Sequence, residues 1–315
     1  MHNRRMADKA PVLVSGYSRS GGTLVVTILD AHSEIAMSYE LYPDMLRALN
    51  KAPLKIGFLG KRKILRTAGM LERSESMKQA AKRIKDRELR TFLLRCVRGG
   101  LDTVSVAQLL RRHIAEGLLF STSRERLRFI EQCAEEKMMR QNKSRWGLKC
   151  TSRFEDYVDM WPQACFINVI RDGRDVLASQ MNTGSFVRDP AQIARGWVDT
   201  HRRFRELGRS GRTSTFEIYY EKLVRDPEGE VRRMCEFLGV SFETSMLAFY
   251  QKDLTIYSNP AGHLSLDRIS VPVDDSRVGR WSADVSDGDL EKFCAVAGET
   301  MVELGYMDNT DAYRS

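Results

Sequence analysis

The chain has 315 residues, of which 42% are hydrophobic, and its formal net charge is +8 at pH 7. These values are ordinary for a globular protein that buries one substantial core. A run of about eighteen apolar residues, which a membrane-spanning helix needs, is absent. The first nine residues lack the apolar centre of a secretory signal. None of the six cysteines follows a Cys-x-x-Cys spacing, so we expect a reduced, cytoplasmic protein without a disulfide framework.

An apolar run at 12–14 breaks into a turn rich in serine and glycine, and a helix-compatible segment follows. A strand, a small-residue loop and a helix N-terminus together form an anion cradle, because the first N–H groups of the helix have no intrahelical partner. The loop adds one cation, Arg19, and hydroxyls at Ser18, Ser20 and Thr23. The pattern predicts a phosphate or sulfate site. A tight turn without a ligand is an equal alternative.

The same loop lacks the lysine of the nucleotide-triphosphate loop, whose pattern is Gly-x-x-x-x-Gly-Lys-Ser/Thr. Counted from Gly16, the second glycine falls correctly at Gly21, but Gly22 and Thr23 follow it. In that loop the lysine grips the terminal phosphates. ATP hydrolysis is therefore disfavoured.

A second motif begins with the continuous apolar run at 164–170, which predicts a buried parallel strand. Ligands of open parallel sheets bind at the carboxyl ends of strands, and Arg171 stands at such an end. Ser179 follows about two helical turns later, near the same face. An arginine and a hydroxyl directed at one point suit a phosphate monoester. The alternative is a surface network in which Asp172 and Asp175 neutralise the arginines.

Taken together, these two motifs resemble the sulfotransferases that use 3′-phosphoadenosine-5′-phosphosulfate (PAPS). The loop Ser18–Thr23 is similar to the Pro-Arg-Ser-Gly-Thr-Thr loop of that family, and the pair Arg171 and Ser179 is similar to its grip on the 3′-phosphate. Further segments resemble family motifs, some of them those of tyrosylprotein sulfotransferases and related bacterial enzymes, and they follow in the expected order: Leu29–Ser33, Trp146–Lys149, Tyr219–Pro227, Phe237–Val240 and Val278–Trp281.

The resemblance covers residues 11–43 and 145–306. It implies an α/β fold of the P-loop type, with three layers in which helices flank a central parallel sheet. We expect one domain over 1–315, with a flexible tail at 1–10 and the second half of the α/β core at 145–306. PAPS is then the sulfuryl donor, 3′-phosphoadenosine-5′-phosphate (PAP) is the product, and a hydroxyl-bearing molecule is the acceptor. No metal is expected, since the five histidines are scattered.

The resemblance also implies roles for individual residues. Arg19 and Lys149 stabilise the charge that develops on the leaving phosphate. Glu40, at the distance of the family's base after Asp-Ala-His, takes the proton of the acceptor if the pocket raises its pKa. His32 is the rival base, and its alternative role is to close the first helix. The residues expected to hold the donor are Ser18, Arg19, Ser20, Gly21, Gly22, Thr23, Arg171, Ser179, Tyr220, Arg277 and Arg280.

Three of these donor residues lie beyond residue 214. Tyr220 ends a strand predicted at 215–220, where it reaches the 3′-phosphate or, equally, packs in the core. A long loop from Ser258 to Arg280 is expected to close over the nucleotide. Arg277 and Arg280 would then be phosphate contacts.

Basic residues are concentrated at 47–98, where sixteen Lys and Arg stand against four Asp and Glu. Helix-compatible runs at 76–98 and 104–117 predict a helical insertion or cap over 44–144. Three interpretations stay open: attraction of an anionic glycan or lipid headgroup, peripheral contact with an anionic membrane, or a solvated surface. Nucleic acid is disfavoured because the stretch has few aromatic residues to stack bases.

The chain departs from the family pattern at Tyr17, Gly22, Leu148 and Cys150, where the family has a proline, a threonine and two polar residues. Two other classes of protein therefore stay open. One is an ATP-dependent kinase of a small molecule or nucleotide on a related core, and the other is a non-catalytic nucleotide-binding protein. The sequence favours a PAPS-dependent sulfotransferase over both.

Overall fold

The structure is a computed structural model that describes residues 9–50, 57–150, 154–182, 189–258 and 266–308. Its centre is a parallel sheet, whose strands within these ranges lie in the order β2-β3-β1-β4-β5. The order reverses beside β1, where parallel sheets bind their ligands. The strands are β1 (Val12–Gly16), β2 (Ile35–Ser38), β3 (Arg145–Lys149), β4 (Cys165–Ile170) and β5 (Ser214–Tyr219).

Helices surround this sheet, and short 3₁₀ turns at Pro43–Leu49, Thr244–Met246, Phe249–Gln251 and Thr255–Ser258 connect some of them. The predicted strands at 164–170 and 215–220 are confirmed as β4 and β5. The helices are α1 (Gly22–Asp30), α2 (Gly57–Glu72), α3 (Met77–Lys82), α4 (Arg87–Arg98), α5 (Thr103–Ala115), α6 (Ser123–Arg140), α7 (Glu155–Met160), α8 (Gly173–Asn182), α9 (Pro190–Ser210), α10 (Tyr220–Arg225), α11 (Pro227–Leu238), α12 (Leu266–Ile269), α13 (Trp281–Asp284) and α14 (Asp287–Glu303).

Both faces of the sheet are buried, as three layers require. Alternation along β1 sends Leu13 to one face and Val12 and Val14 to the other. On the Val12 face, buried residues of α1 and α11 complete the core. On the Leu13 face, α6 packs on β2 and β3, while α9 and α14 pack on each other beside β4. The predicted three-layer α/β fold is therefore confirmed.

The region 44–144, predicted as a helical insertion or cap, is helical and packs in part into the core. Its last helix, α6, is a core helix, because Phe129 and Ile130 are buried in the same cluster as Leu13 and Phe166. The helical run predicted at 76–98 is also interrupted. The Asp86 carboxylate accepts the N–H of Leu89 at 3.1 Å and so caps a new helix, α4.

A buried ion pair joins α6 to the core. Lys137 Nζ donates to the two carboxylate oxygens of Asp30 at 2.9 and 2.8 Å, and to the carbonyl of Met37 at 2.5 Å. The two charged side chains are 1% and 0% exposed. Burial lowers the pKa of Lys137, whereas the Asp30 carboxylate raises it. The charges compensate each other, and the pair fixes α6 against the end of α1 and the edge strand β2.

Parts of two predictions lie outside the described residues. Residues 1–8 of the expected tail and residues 259–265 of the expected loop are not described, and the described part of that loop contains α12. Across the described ranges, no helix is long and apolar enough to cross a bilayer.

Candidate active site

The loop between β1 and α1 lies at the carboxyl edge of the sheet. Arg19 has φ 73° and Gly21 has φ 98°, so the chain turns through the left-handed region twice. Gly21 supplies no side-chain cap to α1, which leaves the first N–H groups of the helix available at the loop. Ser20 is 1% exposed, and its hydroxyl has no hydrogen-bond partner among the described residues. A buried, unsatisfied hydroxyl at a helix N-terminus suits an anionic ligand.

Gly21 is required at its position because Tyr220 packs against it. A Cβ atom built on Gly21 would lie 2.6 Å from Tyr220 Cδ2, closer than atoms can approach. The Tyr220 ring also lies under the guanidinium of Arg171, with Cζ 4.5 Å from the ring centroid, a cation–π contact. Burial is the main cause that raises the pKa of the Tyr220 hydroxyl. Tyr220 therefore stands at the loop and supports both of its neighbours.

Arg171 connects three segments that are far apart in sequence. Its Nη1 donates to the Arg19 carbonyl at 3.2 Å, and its Nη2 donates to the Arg277 carbonyl at 2.5 Å. The residue is 7% exposed, and its Nε has no hydrogen-bond partner in the part of the chain that is described. Arg19 Nε donates to Ser179 Oγ at 3.0 Å. The structure thus brings together Arg19, Arg171 and Ser179, as predicted from their spacing.

Asp175 attaches the segment 277–281 to this group. Its carboxylate accepts the N–H of Gly279 at 2.9 Å and that of Trp281 at 3.0 Å, and it lies 3.6 Å from Arg171 Nη2. Asp175 is 1% exposed, so these contacts are buried. The pairing of aspartates with arginines that the alternative expected is present as well, between Asp172 and Arg174 at 2.8 Å and between Asp175 and Arg171. The guanidinium of Arg280, a predicted phosphate contact, is paired with Asp284 instead.

Glu40 lies just beyond the end of β2, with φ 57° in the left-handed region. Its carboxylate is 15% exposed and contacts three cations. Lys149 Nζ lies 2.9 Å from Oε1, and the Nη atoms of Arg98 and Arg95 lie 3.0 and 3.4 Å from Oε2. Opposite charges at this distance favour the ionised carboxylate. The Glu40 carboxylate therefore lies among cations and not in an apolar pocket.

Lys149 links the carboxylate to the anion cradle. Its Nζ donates to Thr23 Oγ1 at 2.9 Å as well as to Glu40. Because Thr23 belongs to the first turn of α1, one ammonium group touches both the loop and the candidate base. Packing does not require a glycine at Gly22, since a Cβ built there would lie 3.5 Å from Lys149 Cε, in ordinary contact.

Sequence reasoning missed Arg95 and Arg98, which it counted only as part of the basic stretch. Both belong to the last turn of α4, and Arg95 Nη1 also donates to the backbone carbonyl of Glu40 at 2.8 Å. Burial is the main cause that lowers the pKa of Arg98, while the Glu40 charge raises it. The sequence carried no signal for them: the buried Leu89, Phe92 and Cys96 recur every three to four residues, and Arg98, two residues after Cys96, falls outside that spacing.

The remaining candidates lie elsewhere or at the rim. His32 is 1% exposed and stands beyond the far end of α1, which is about 14 Å long. Its Nδ1 accepts the N–H of Glu34 at 3.0 Å, and its Nε2 donates to the Ser241 carbonyl at 2.9 Å. Both ring nitrogens are therefore used structurally. Ser18 is exposed at the outer side of the loop.

No group of three or more His, Cys, Asp or Glu within the described ranges is arranged to hold a metal ion. The expectation that no metal takes part stays a prediction.

The fold is that of the sulfotransferases. Residues 11–244 match the model of the sulfotransferase family, and the chain belongs to that family. It is 27% identical over 162 residues to protein-tyrosine sulfotransferase A of Caenorhabditis elegans, covering 49% of this chain and 42% of that protein. It is 24% identical over 164 residues to the protein-tyrosine sulfotransferase of Drosophila melanogaster, covering 47% and 31%. These matches span less than half the length of either relative.

Solved structures support the same fold over nearly the whole chain. The sulfotransferase domain of the olefin synthase of Synechococcus PCC 7002 has a TM-score of 0.53 at 19% identity, covering 93% of this chain and 96% of that domain. The sulfotransferase domain of the curacin biosynthetic pathway has a TM-score of 0.53 at 15% identity, with 95% and 98% covered. At such identities the likeness concerns the fold alone.

Proposed function

We propose that this protein transfers a sulfuryl group from PAPS to an acceptor hydroxyl, with Glu40 as the general base. The observation that carries the proposal is the chain of contacts from Thr23 through Lys149 to Glu40, both at 2.9 Å. It joins an anion-binding helix N-terminus, a cation and a carboxylate within one site. Transfer of a sulfuryl group in line, from a phosphate to an oxygen, needs these three groups together.

The residues present fit the donor. The buried hydroxyl of Ser20 and the Nε of Arg171 lack partners in the described structure and suit phosphate oxygens. The 5′-phosphosulfate would be held by the loop, and the 3′-phosphate by Arg171 and Ser179. When bound, PAPS supplies the sulfuryl group, and PAP is the other product.

Each polar group has one task in this proposal. Lys149 and Arg19 hold positive charge beside the phosphate that leaves. A Glu40 carboxylate oxygen accepts the proton of the acceptor hydroxyl as that oxygen attacks. Arg95 and Arg98 hold the carboxylate in place. We propose a carbohydrate, a lipid or a small molecule as the acceptor, and the cytoplasm as the location.

The first experiment is calorimetric titration with PAP, 5′-AMP, and ATP with magnesium. Binding of PAP that is much tighter than that of 5′-AMP supports the proposal and justifies a screen of acceptors with PAPS. Preference for ATP with magnesium would favour a kinase. Binding of none of the three would mean that the loop at 16–23 is only a turn.

Two variants separate the donor site from the base. Arg171→Ala should weaken PAP more than 5′-AMP, whereas equal weakening of both would make Arg171 a structural residue. Glu40→Gln should lower turnover by a factor on the order of 100 to 10,000 without weakening PAP, because a negative charge leaves the site. If the parent and Glu40→Gln both bind PAP but neither turns over, a non-catalytic protein is favoured. Arg203→Ala, on exposed α9, is the matched control for Arg171→Ala.

A further inference from the structure

Exposed cations that form no ion pair are concentrated on α2, α3, α4 and the segments that join them; elsewhere in the described chain such cations, for example Arg124 and Lys252, are scattered. Exposed arginines on α9 and α11 are paired with carboxylates: Arg202 and Arg203 lie 2.7 and 2.8 Å from Asp199, and Arg232 lies 2.6 Å from Glu228. Within the described residues, nine exposed cations of 61–90 form no such ion pair. They are Lys61, Arg62, Arg66, Arg73, Lys78, Lys82, Arg83, Lys85 and Arg90.

On α2 these cations surround an exposed apolar side chain. Ile64, Ala68 and Leu71 are fully buried and define the inner side of the helix. Arg62 and Arg66 lie on the opposite side, at i and i+4. Leu65, which is 36% exposed, lies between that pair and Lys61 on the helix surface. About a third of the Leu65 side chain is thus in contact with water among these cations.

We infer that this surface, formed by the exposed sides of α2, α3 and α4, binds an anionic membrane surface. Each Lys or Arg near such a surface adds about 1 kcal/mol. An apolar side chain among cations is the pattern of helices that lie in the lipid interface. The occupant is therefore a bilayer with anionic headgroups.

A nucleic acid fits this surface less well. Binding of single strands needs aromatic rings on which bases stack. Between residues 60 and 98 the sequence has one aromatic residue, Phe92, and its side chain is fully buried in the core. A soluble anionic glycan would use the cations but would leave Leu65 in water.

The surface is connected to the candidate base. Arg90 is exposed on α4, and Arg98, eight residues or about 12 Å further along the same helix, holds Glu40. This step alone rests on the proposed function. If α4 positions the general base, a membrane bound to this surface lies on the acceptor side of the site. The donor residues come from other elements, β1–α1, β4–α8 and α10.

The test is co-sedimentation of the full chain with vesicles of phosphatidylcholine, with and without phosphatidylserine. The parent should bind only the vesicles that contain phosphatidylserine, and added salt should release it. The variant Lys61→Gln/Arg62→Gln/Arg66→Gln should bind on the order of 100-fold more weakly, from the loss of three cations. Leu65→Ser should bind roughly fivefold more weakly. The control Arg202→Gln/Arg203→Gln/Arg232→Gln removes the same charge from paired positions and should bind as the parent does.

Three outcomes would overturn the inference: no binding to either vesicle, equal weakening in both triple variants, or binding to heparin or single-stranded RNA without binding to vesicles. Equal weakening would mean that net charge, and not this surface, attracts the lipid. PAP titration of the Lys61→Gln/Arg62→Gln/Arg66→Gln variant should match that of the parent. Failure of PAP binding in the parent would count against the proposed function and leave the vesicle result unaffected.

Discussion

The side chain of Arg95 contacts both the backbone carbonyl and the carboxylate of Glu40. Its Nη1 donates to the Glu40 carbonyl at 2.8 Å, while Nη2 lies 3.4 Å from the carboxylate. Glu40 has φ 57°, a conformation that costs a side-chain-bearing residue about 1–2 kcal/mol. A residue kept in such a conformation needs surroundings that hold it there. The two arginines of α4 supply them, and so position the candidate base.

This arrangement predicts the effect of Arg98→Gln. Loss of the 3.0 Å contact lets the carboxylate of Glu40 move, so turnover should fall by a factor of roughly 10 to 100. Arg98→Lys should restore part of it. PAP affinity should change little, since Arg98 acts here on Glu40, which is not among the predicted donor residues. Turnover is measured with the acceptor found by screening, and Arg90→Gln on the same helix is the control. Turnover equal to that of the parent would exclude a positioning role for Arg98.

Gly21→Ala should damage the donor site. The new Cβ would lie 2.6 Å from Tyr220 Cδ2, so Tyr220 and the Arg171 above it must shift. PAP binding should weaken by at least about tenfold. Gly211→Ala is the matched control, because Gly211 has φ 64° but open space around its Cα. It should cost about 1 kcal/mol of stability and leave PAP binding unchanged. Similar PAP affinities in the two variants would mean that Tyr220 does not constrain the loop.

His201 should make the fold sensitive to acid. It is 2% exposed on α9, neither ring nitrogen has a partner among the described residues, and burial lowers its pKa to about 3. The unfolded chain, with a histidine pKa near 6.5, binds a proton that the folded chain does not. Stability is therefore complete above about pH 6.5 and falls as the pH approaches 3, with about 2 kcal/mol lost from this residue at pH 5.

Measurement of urea unfolding from pH 7.5 to 5 tests this dependence. His201→Leu removes the titrating ring and two unsatisfied nitrogens, so it should flatten the pH dependence. His113, whose pKa burial lowers to about 4, acts in the same direction and remains in the variant. An identical slope in parent and His201→Leu would contradict the prediction.

Lys137→Met should destabilise the fold by about 3–5 kcal/mol, because it removes the cation that contacts both oxygens of the fully buried Asp30 carboxylate and leaves the more distant Lys143, 3.9 Å from Oδ1. Adding Asp30→Asn removes the buried negative charge while keeping an oxygen for the Met37 N–H, which Asp30 Oδ1 accepts at 2.8 Å. The double variant should therefore be more stable than Lys137→Met alone. Chemical unfolding measures both, and additive losses would show that the two charges are not coupled.

The sheet and the donor loop could be predicted because their signals are local. The apolar run at 165–170 and the serine-rich turn after β1 specify a strand end and a helix start within a few residues. The Arg171–Ser179 pair follows from helical spacing alone. Glu40 was proposed by resemblance, and its partners Arg95 and Arg98 were not proposed at all. Their contact joins residues more than fifty positions apart, and no local pattern encodes such a pairing.

Burial explains the other differences. The sequence of 44–144 is rich in charge, which suggested a helical insertion or cap, but the apolar positions of α6 decide where the region packs. Arg280 was assigned to phosphate from its place in a loop, whereas Asp284, one helical turn later, is within its reach. The number of charged residues in a segment does not reveal which of its cationic side chains are buried or paired.

Because α4 holds Glu40, the donor site and the groups that orient the base belong to two different parts of the chain. Groups proposed for the donor belong to the sheet and its adjacent turns, whereas those that orient the base arrive on helices inserted between β2 and β3. Replacement of the inserted segment could therefore alter which hydroxyl is modified while the nucleotide site is retained. Such a chain can diversify its products by exchanging one contiguous stretch, provided that each replacement again ends a helix with an arginine at Glu40.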